Sequence, residues 1–285
     1  MNNISIFDET FDQSLASSYF LSIRISPDGF SFSTLDPVRN MFIQFKHVRF
    51  EMADKEWQQT LSELNDEKLF ELEFQKVVVI VDNEFSMLVP NSLFKPEESR
   101  QLLSFTFDLT VLNSDYQIIT NRVKMADATN VWALPDKLWH FLTAKFQNLI
   151  FLHSTTPVLE ANLIEDHRNL EQSFIHLHFD ENRFHVMVVD KRELKLSNHF
   201  KYLNINEMLY YFLFVIDQLK LPVSAIEIFV SGNISPQSEL YHSLNAYIKR
   251  IRIVKPDKHL NFSPNFRHVD LSNHFQLFSF PLCVS

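Results

Sequence analysis

The chain is poor in glycine: it has two, Gly29 and Gly232, in 285 residues, where average usage of about 7% gives roughly 20. Motifs that bring backbone N–H groups against a phosphate need glycine, because a Cβ blocks the approach or the required φ. Walker-type and G-x-G-x-x-G loops are therefore excluded. A single cysteine, Cys283, excludes an internal disulfide and fits a reducing compartment. It stands in "FPLCVS" without the glycine or histidine surroundings of a reactive thiol, and reads as a packed side chain. No apolar run reaches the roughly 18 residues that span a bilayer. "MLYYFLFVI", Met208 to Ile216, reads instead as a central buried helix, apolar nearly all round. The opening "MNNISIFDET" lacks the basic-then-apolar order of a signal peptide, so a cytoplasmic location is expected.

Basic charge is scarce as well. Lys and Arg number 26 against 35 Asp and Glu, a net charge of −9, which argues against a broad grip on nucleic acid. The local exception is "KRIRIVKPDK", with Lys249, Arg250, Arg252, Lys255 and Lys258. It reads first as a solvated edge strand with protective charge, and second as a patch for an anionic partner. Apolar residues, by contrast, make up 46% of the chain, with 29 phenylalanines. That is the composition of a folded protein with an aromatic core; the functional version of the same excess is an exposed aromatic patch for a partner.

The chain also repeats itself. "FLSIRISPDGFSFSTLDP", Phe20 to Pro37, aligns without a gap on "FIHLHFDENRFHVMVVDK", Phe174 to Lys191. Both read strand, tight polar turn, strand, with period-two alternation, and Asp36 and Asp190 stand at matching places. A third extended segment follows each, "MFIQFKHVRF" and "ELKLSNHFKYL". Then comes a helix: Trp57, Leu61 and Leu64 after Asp54 as N-cap in one copy, and Leu209, Phe212, Ile216 and Leu219 after Asn204 or Asn206 in the other. "VVVIVDN" and "IEIFVSGN" close the units as strands. An antiparallel meander followed by a helical crossover places each of these parallel to the first strand. Between the copies, strands are expected at "FSMLVP", "YQIIT", "NVWAL" and "LIFLH", and helices from Pro96, Pro135 and Pro157. After the second copy, Pro236 opens a helix and "IRIVK" is a strand. With no flexible linker, two abutting lobes are expected, 1–170 and 171–285, with the C-terminal tail packing back on the first.

A meander, helix, strand and helix, repeated once, resembles the actin-like ATPase superfamily of actin, Hsp70 and the sugar kinases. Strand "LIFLH" with helix "PVLEANLIED" is similar to the bridge in type IV pilus and cell-division actin-like proteins. "YFLSIRISPDGFSF", "MLVPNSLF", "WALPDKLW" and "PLCVS" together resemble an uncharacterised bacterial family of unknown function with an actin-like fold, over nearly the whole chain. The resemblance implies an α/β chain with a duplicated actin-like (ribonuclease H-like) fold, each lobe holding a mixed sheet. It also implies ATP between the lobes, held by two glycine-rich hairpins and an adenosine loop. Those places fall on "IRISPDGFSF", where Arg24 to Ser26 replace Asp-x-Gly; on "HLHFDENRF", which has no glycine and sets Glu181 and Arg183 at the turn; and on "VSGNIS", which keeps Gly232 alone. These departures argue against ATP hydrolysis by the superfamily mechanism.

Other chemistry is thin. With Glu181 and Asn182 as the loop, Phe179 faces Phe184 and His178 faces His185, so His176, His178 and His185 share one face. A transition metal could use them, but a further ligand is lacking, and the same face of the first copy carries Ser22, Arg24 and Ser31. A polar sheet face is the better reading, and no metal or cofactor is expected. "SGN", Ser231 to Asn233, lacks a nucleophile elbow. Asp82, Asp180 and Asp190 stand near strand ends; Asp82 and Asp180, with Gly232, are the cleft candidates for an altered site, against their ordinary role in turns. The expectation is thus a non-catalytic actin-like protein that binds a protein partner as a scaffold. The alternatives are a nucleotide- or metal-dependent enzyme or sensor working in a non-standard way, and an anion-binding module through Lys249 to Lys258.

Overall fold

The structure is a computed structural model that describes residues 3–51, 57–108, 115–166, 173–190, 193–221 and 226–284. The chain forms two compact units. Unit 1 comprises Met1–Pro157, Asp257–Val269 and Gln276–Ser285; unit 2 comprises Val158–Pro256 and Asp270–Phe275.

Unit 1 begins with β1 (Ile4–Phe7), then the meander β2 (Phe20–Ser26), β3 (Gly29–Asp36) and β4 (Met41–Arg49). Helix α1 (Gln58–Asp66) leads to β5 (Lys76–Val81), parallel to β2. Asp54, expected to cap α1, lies outside the described residues. Trp57 is not on the helix face as its spacing predicts; it takes the cap position in left-handed backbone at φ 65° and buries its ring. Strands β6 (Ser86–Pro90), β7 (Tyr116–Val123) and β8 (Ala128–Pro135) make a separate antiparallel sheet, in the order β6-β8-β7. Helix α2 (Ser99–Ser104) covers it through Leu103 on Val89, Val131 and Ala133. After α3 (Asp136–Lys145), β9 (Leu149–His153) joins the main sheet parallel to β5, giving β1-β4-β3-β2-β5-β9. One face of β2, β3 and β5 presents Leu21, Ile23, Phe32 and Val79 to Leu64, Leu138 and Leu142. The opposite face carries the polar alternates Ser22, Arg24, Ser31 and Ser33.

The chain passes from unit 1 to unit 2 within α4 (Thr155–Asp166). Unit 2 repeats the meander as β10 (Phe174–Phe179), β11 (Arg183–Asp190) and β12 (Glu193–Lys201). Phe179 opposes Phe184 and His178 opposes His185, the register predicted from a Glu181–Asn182 loop. Helix α5 (Ile205–Gln218) precedes β13 (Glu227–Gly232), parallel to β10, and α6 (Glu239–Tyr247) precedes β14 (Ile251–Ile253), parallel to β13. The order β12-β11-β10-β13-β14 matches β4-β3-β2-β5-β9 strand for strand. α5 is capped by Asn204, whose Oδ1 accepts from Glu207 N–H at 3.0 Å, while Glu207 reaches back to Leu203 N–H at 2.7 Å. It is not the fully buried helix its composition predicts. Met208, Phe212 and Val215 pack on β10 and β11, while Tyr210 is 63% and Phe214 47% exposed on the outer side. The α6 helix starts at Glu239, capped by Ser238 rather than opened at Pro236, because Pro236 lies in the preceding turn. β14 carries Arg252, paired with Glu227 at 2.6 Å, on an edge strand.

The tail returns to unit 1. β15 (Asn261–Phe262) pairs with β4, and the short helices α7 (Phe275–Ser279) and α8 (Pro281–Val284) follow. Phe278 lies 5.0 Å from Phe42 and 5.4 Å from Phe45, ring centre to ring centre, so the tail supplies aromatic volume to the sheet's second face. No helix among the described residues is long and apolar enough to cross a membrane.

Candidate functional site

In unit 1 the place of interest is the end of β2 beside β5. Asp82 follows β5, and its N–H donates to Ile25 O at 2.8 Å, which fixes it against β2. Arg24 points from β2 to the same spot, and its Nη2 meets Asp82 Oδ2 at 2.6 Å. The other carboxylate oxygen accepts from Ser154 Oγ at 2.8 Å. Arg24 Nε donates to Gln276 Oε1 at 2.6 Å, and its Nη1 lies 3.4 Å from Ser26 Oγ. Asp82 is buried and Arg24 nearly so. A guanidinium held by a carboxylate and an amide thus fills the position where the resemblance puts a phosphate-binding Asp-x-Gly. Nearby, Ser31 Oγ lies 2.9 Å from His47 Nδ1. Burial, and then the positive charge of Arg24, push the His47 pKa down to about 4.

Both glycines have a local steric reason. A Cβ on Gly29, at φ 146°, would stand 2.1 Å from Val48 O, and one on Gly232, at φ 85°, would stand 2.0 Å from Phe179 O. Gly29 lets the β2–β3 turn approach β4, and Gly232 lets β13 end against β10.

In unit 2, His176, His178 and His185 share the face opposite the apolar core, and all three are buried. His176 lies 2.8 Å from Asn162 Nδ2 through Nδ1 and 2.9 Å from Ser231 Oγ through Nε2. His178 Nδ1 lies 2.7 Å from the same Ser231 Oγ. His185 Nε2 bonds Ser197 Oγ at 2.8 Å, and its ring stacks on His199 with centres 4.6 Å apart. Burial, and then the neighbouring His178 and His185, hold the His176 pKa well below the ordinary histidine value. Among the described residues, no group of three His, Cys, Asp or Glu side chains is placed to hold a metal ion.

The cleft candidates fall in different surroundings. Asp82 is in the Arg24 cluster. Asp180 takes Arg183 Nε at 3.3 Å and stands 3.9 Å from His178 Nε2. Asp190 accepts from Ser173 Oγ. Three partners were not legible: Gln276, Ser154 and Asn162 sit in segments whose only signal is helical or strand periodicity. Arg24 was, because it breaks the phosphate pattern.

Comparison with known proteins agrees with this architecture. A family model described as "Protein of unknown function (DUF3822)" matches residues 8–251. No curated protein matches the sequence. A Bacteroides thetaiotaomicron VPI-5482 protein with an actin-like ATPase fold and unknown function is similar in structure, at TM-score 0.76 and 20% identity, over 88% of this chain and 95% of that one. A chain of the PilM–PilN type IV pilus biogenesis complex is similar at TM-score 0.59 and 11% identity, over 93% of this chain and 96% of that one. These likenesses establish the fold.

Proposed function

The chain belongs to the DUF3822 family and has an actin-like fold, and from that premise we propose that it is a non-catalytic member of this fold, acting in the cytoplasm as a binding or scaffold partner of another protein. The observation that carries this reading is the Arg24–Asp82 pair. Phosphoryl-transfer sites stabilise negative charge with preorganised donors and metal ions. Here the donor is already neutralised by a carboxylate at 2.6 Å, and that carboxylate is engaged on its second oxygen by Ser154. Neither glycine is left over for a phosphate, since each is required by a carbonyl oxygen of its own sheet.

The interaction half of the proposal is supported by the outer side of α5, where Tyr210 and Phe214 are 63% and 47% exposed, and by Leu203 just before its cap, 93% exposed. Aromatic residues kept at a surface are common anchors of protein interfaces. The PilM–PilN complex, a two-protein assembly by its description, shows the company one chain of similar fold keeps. Titration calorimetry with ATP and ADP in the presence of Mg²⁺ is expected to give no heat of binding. Micromolar affinity for either nucleotide overturns the non-catalytic reading.

A further inference from the structure

The polar layer of unit 2 has a direction, and it starts at a helix carbonyl. Asn162 Nδ2 donates to Val158 O at 2.7 Å, which fixes the amide so that its nitrogen, not its oxygen, faces the strands. The same nitrogen's second hydrogen goes to His176 Nδ1 at 2.8 Å. Nδ1 therefore carries no proton, and the neutral ring is protonated on Nε2. That Nε2–H donates to Ser231 Oγ at 2.9 Å, and the one hydrogen of Ser231 is left for His178 Nδ1 at 2.7 Å. His178 is thereby the same tautomer, with its Nε2 directed at Asp180, 3.9 Å away. Asn162, His176, Ser231 and His178 are all buried.

Neither imidazole can gain a proton without undoing a bond. A proton on His176 Nδ1 meets the Asn162 N–H, donor against donor. A proton on His178 Nδ1 turns Ser231 into a double acceptor and leaves the serine hydrogen without its partner inside the protein, where an unmade bond is expensive. We propose that this layer is an acid-operated latch: neutral, it ties α4, β10 and β13 together through four side chains, and protonation of His178 reverses Ser231 and loosens the β10–β13 seam.

The surroundings single out His178 as the first to respond. Its Nε2 has Asp180 beside it, although that carboxylate is shared with Arg183 at 3.3 Å, whereas His176 is bonded by an amide and a hydroxyl alone. On the adjoining strands His185 and His199 stack with ring centres 4.6 Å apart, and a charge on either would oppose protonation of His178. α4 carries the buried Glu160, and the turn Leu271–His274, packed on β13, carries His274. Because burial favours the neutral rings, the stabilisation is complete above the ordinary histidine range and is lost as pH falls below it.

Amide hydrogen exchange on the full chain, from pH 7.5 to 5.0, tests the latch. With protection factors corrected for intrinsic exchange, β10 and β13 are expected to lose about tenfold protection per pH unit below about pH 6.5 for one titrating histidine. β2 and β5 of unit 1 are no reference, because His47 of the same sheet is itself held neutral, chiefly by burial; the comparison is with a variant in unit 2. His178→Asn places an amide oxygen where Nδ1 stood, accepts from Ser231 and cannot be charged, so its β10 and β13 profile is expected to be shallower than that of the wild type, with His176 alone left to titrate on opening. A flat wild-type profile, or an unchanged fall in His178→Asn, overturns the proposal. Should that variant fail to fold, ¹⁵N ring shifts of the wild type decide: His178 protonated on Nε2 at pH 7.5 supports the latch, and protonated on Nδ1 overturns it.

Discussion

Arg24 shows how one residue changes what a strand end can do. Its guanidinium and the Asp82 carboxylate are both out of water, and each is tolerable there because of the other. Arg24→Ala therefore takes the guanidinium off a buried carboxylate, and is expected to cost about 3–5 kcal/mol in urea unfolding. Removing both charges, in Arg24→Met with Asp82→Leu, is expected to recover most of that loss. A single Arg24→Ala within about 0.5 kcal/mol of wild type would mean the pair holds nothing together. The glycines make the complementary case. Gly232→Ala forces a Cβ onto Phe179 O in backbone that L-residues avoid, and a loss of about 2–4 kcal/mol is expected. A neutral result in chemical denaturation would show that the β13 end can move aside.

At the scale of elements, α5 is the helix whose surface matters. Its inner side, Met208, Phe212 and Val215, is what holds it on the sheet, and its cap at Asn204 sets where it begins. Tyr210 and Phe214 lie outside that packing and stack on each other with ring centres 6.3 Å apart. Tyr210→Ser with Phe214→Ser is expected to leave the melting temperature nearly unchanged, because surface substitutions away from structural features stay within about 0.5 kcal/mol. The same double variant is expected to lose a protein partner recovered by the wild type in an affinity pull-down. Retention of that partner moves the interface elsewhere on the molecule. The composition of this segment concealed its two-sidedness. Nine apolar residues from Met208 to Ile216 carry no polar stripe, so only the packing distinguishes the side that faces β10 from the side that faces solvent.

Across the whole molecule, the duplication was legible because it is written in local pattern. Period-two alternation and a two-residue polar turn fix which residues of β10 and β11 oppose each other, and the same reading gives the meander of unit 1. The departure at Arg24 was legible for a similar reason: it replaces an expected motif in place. What pairs with Arg24 was not. Gln276 is 252 residues away in sequence, and periodicity holds no information about a bond that closes so long a loop. Asn162 likewise reads as one polar position in an apolar helix, although it sets the tautomers of two histidines on another element.

The tail has a consequence for how the protein is made. The second face of the first sheet is completed by Phe278 against Phe42 and Phe45, and by Gln276 on Arg24. A ribosome adding about 5–20 residues per second delivers those parts only after all of β10 to β14 has been synthesised. Through the birth of unit 2, unit 1 therefore lacks the ring that packs on Phe42 and Phe45 and the amide that accepts from Arg24 Nε. The unit that is begun first receives its last described parts after those of its neighbour.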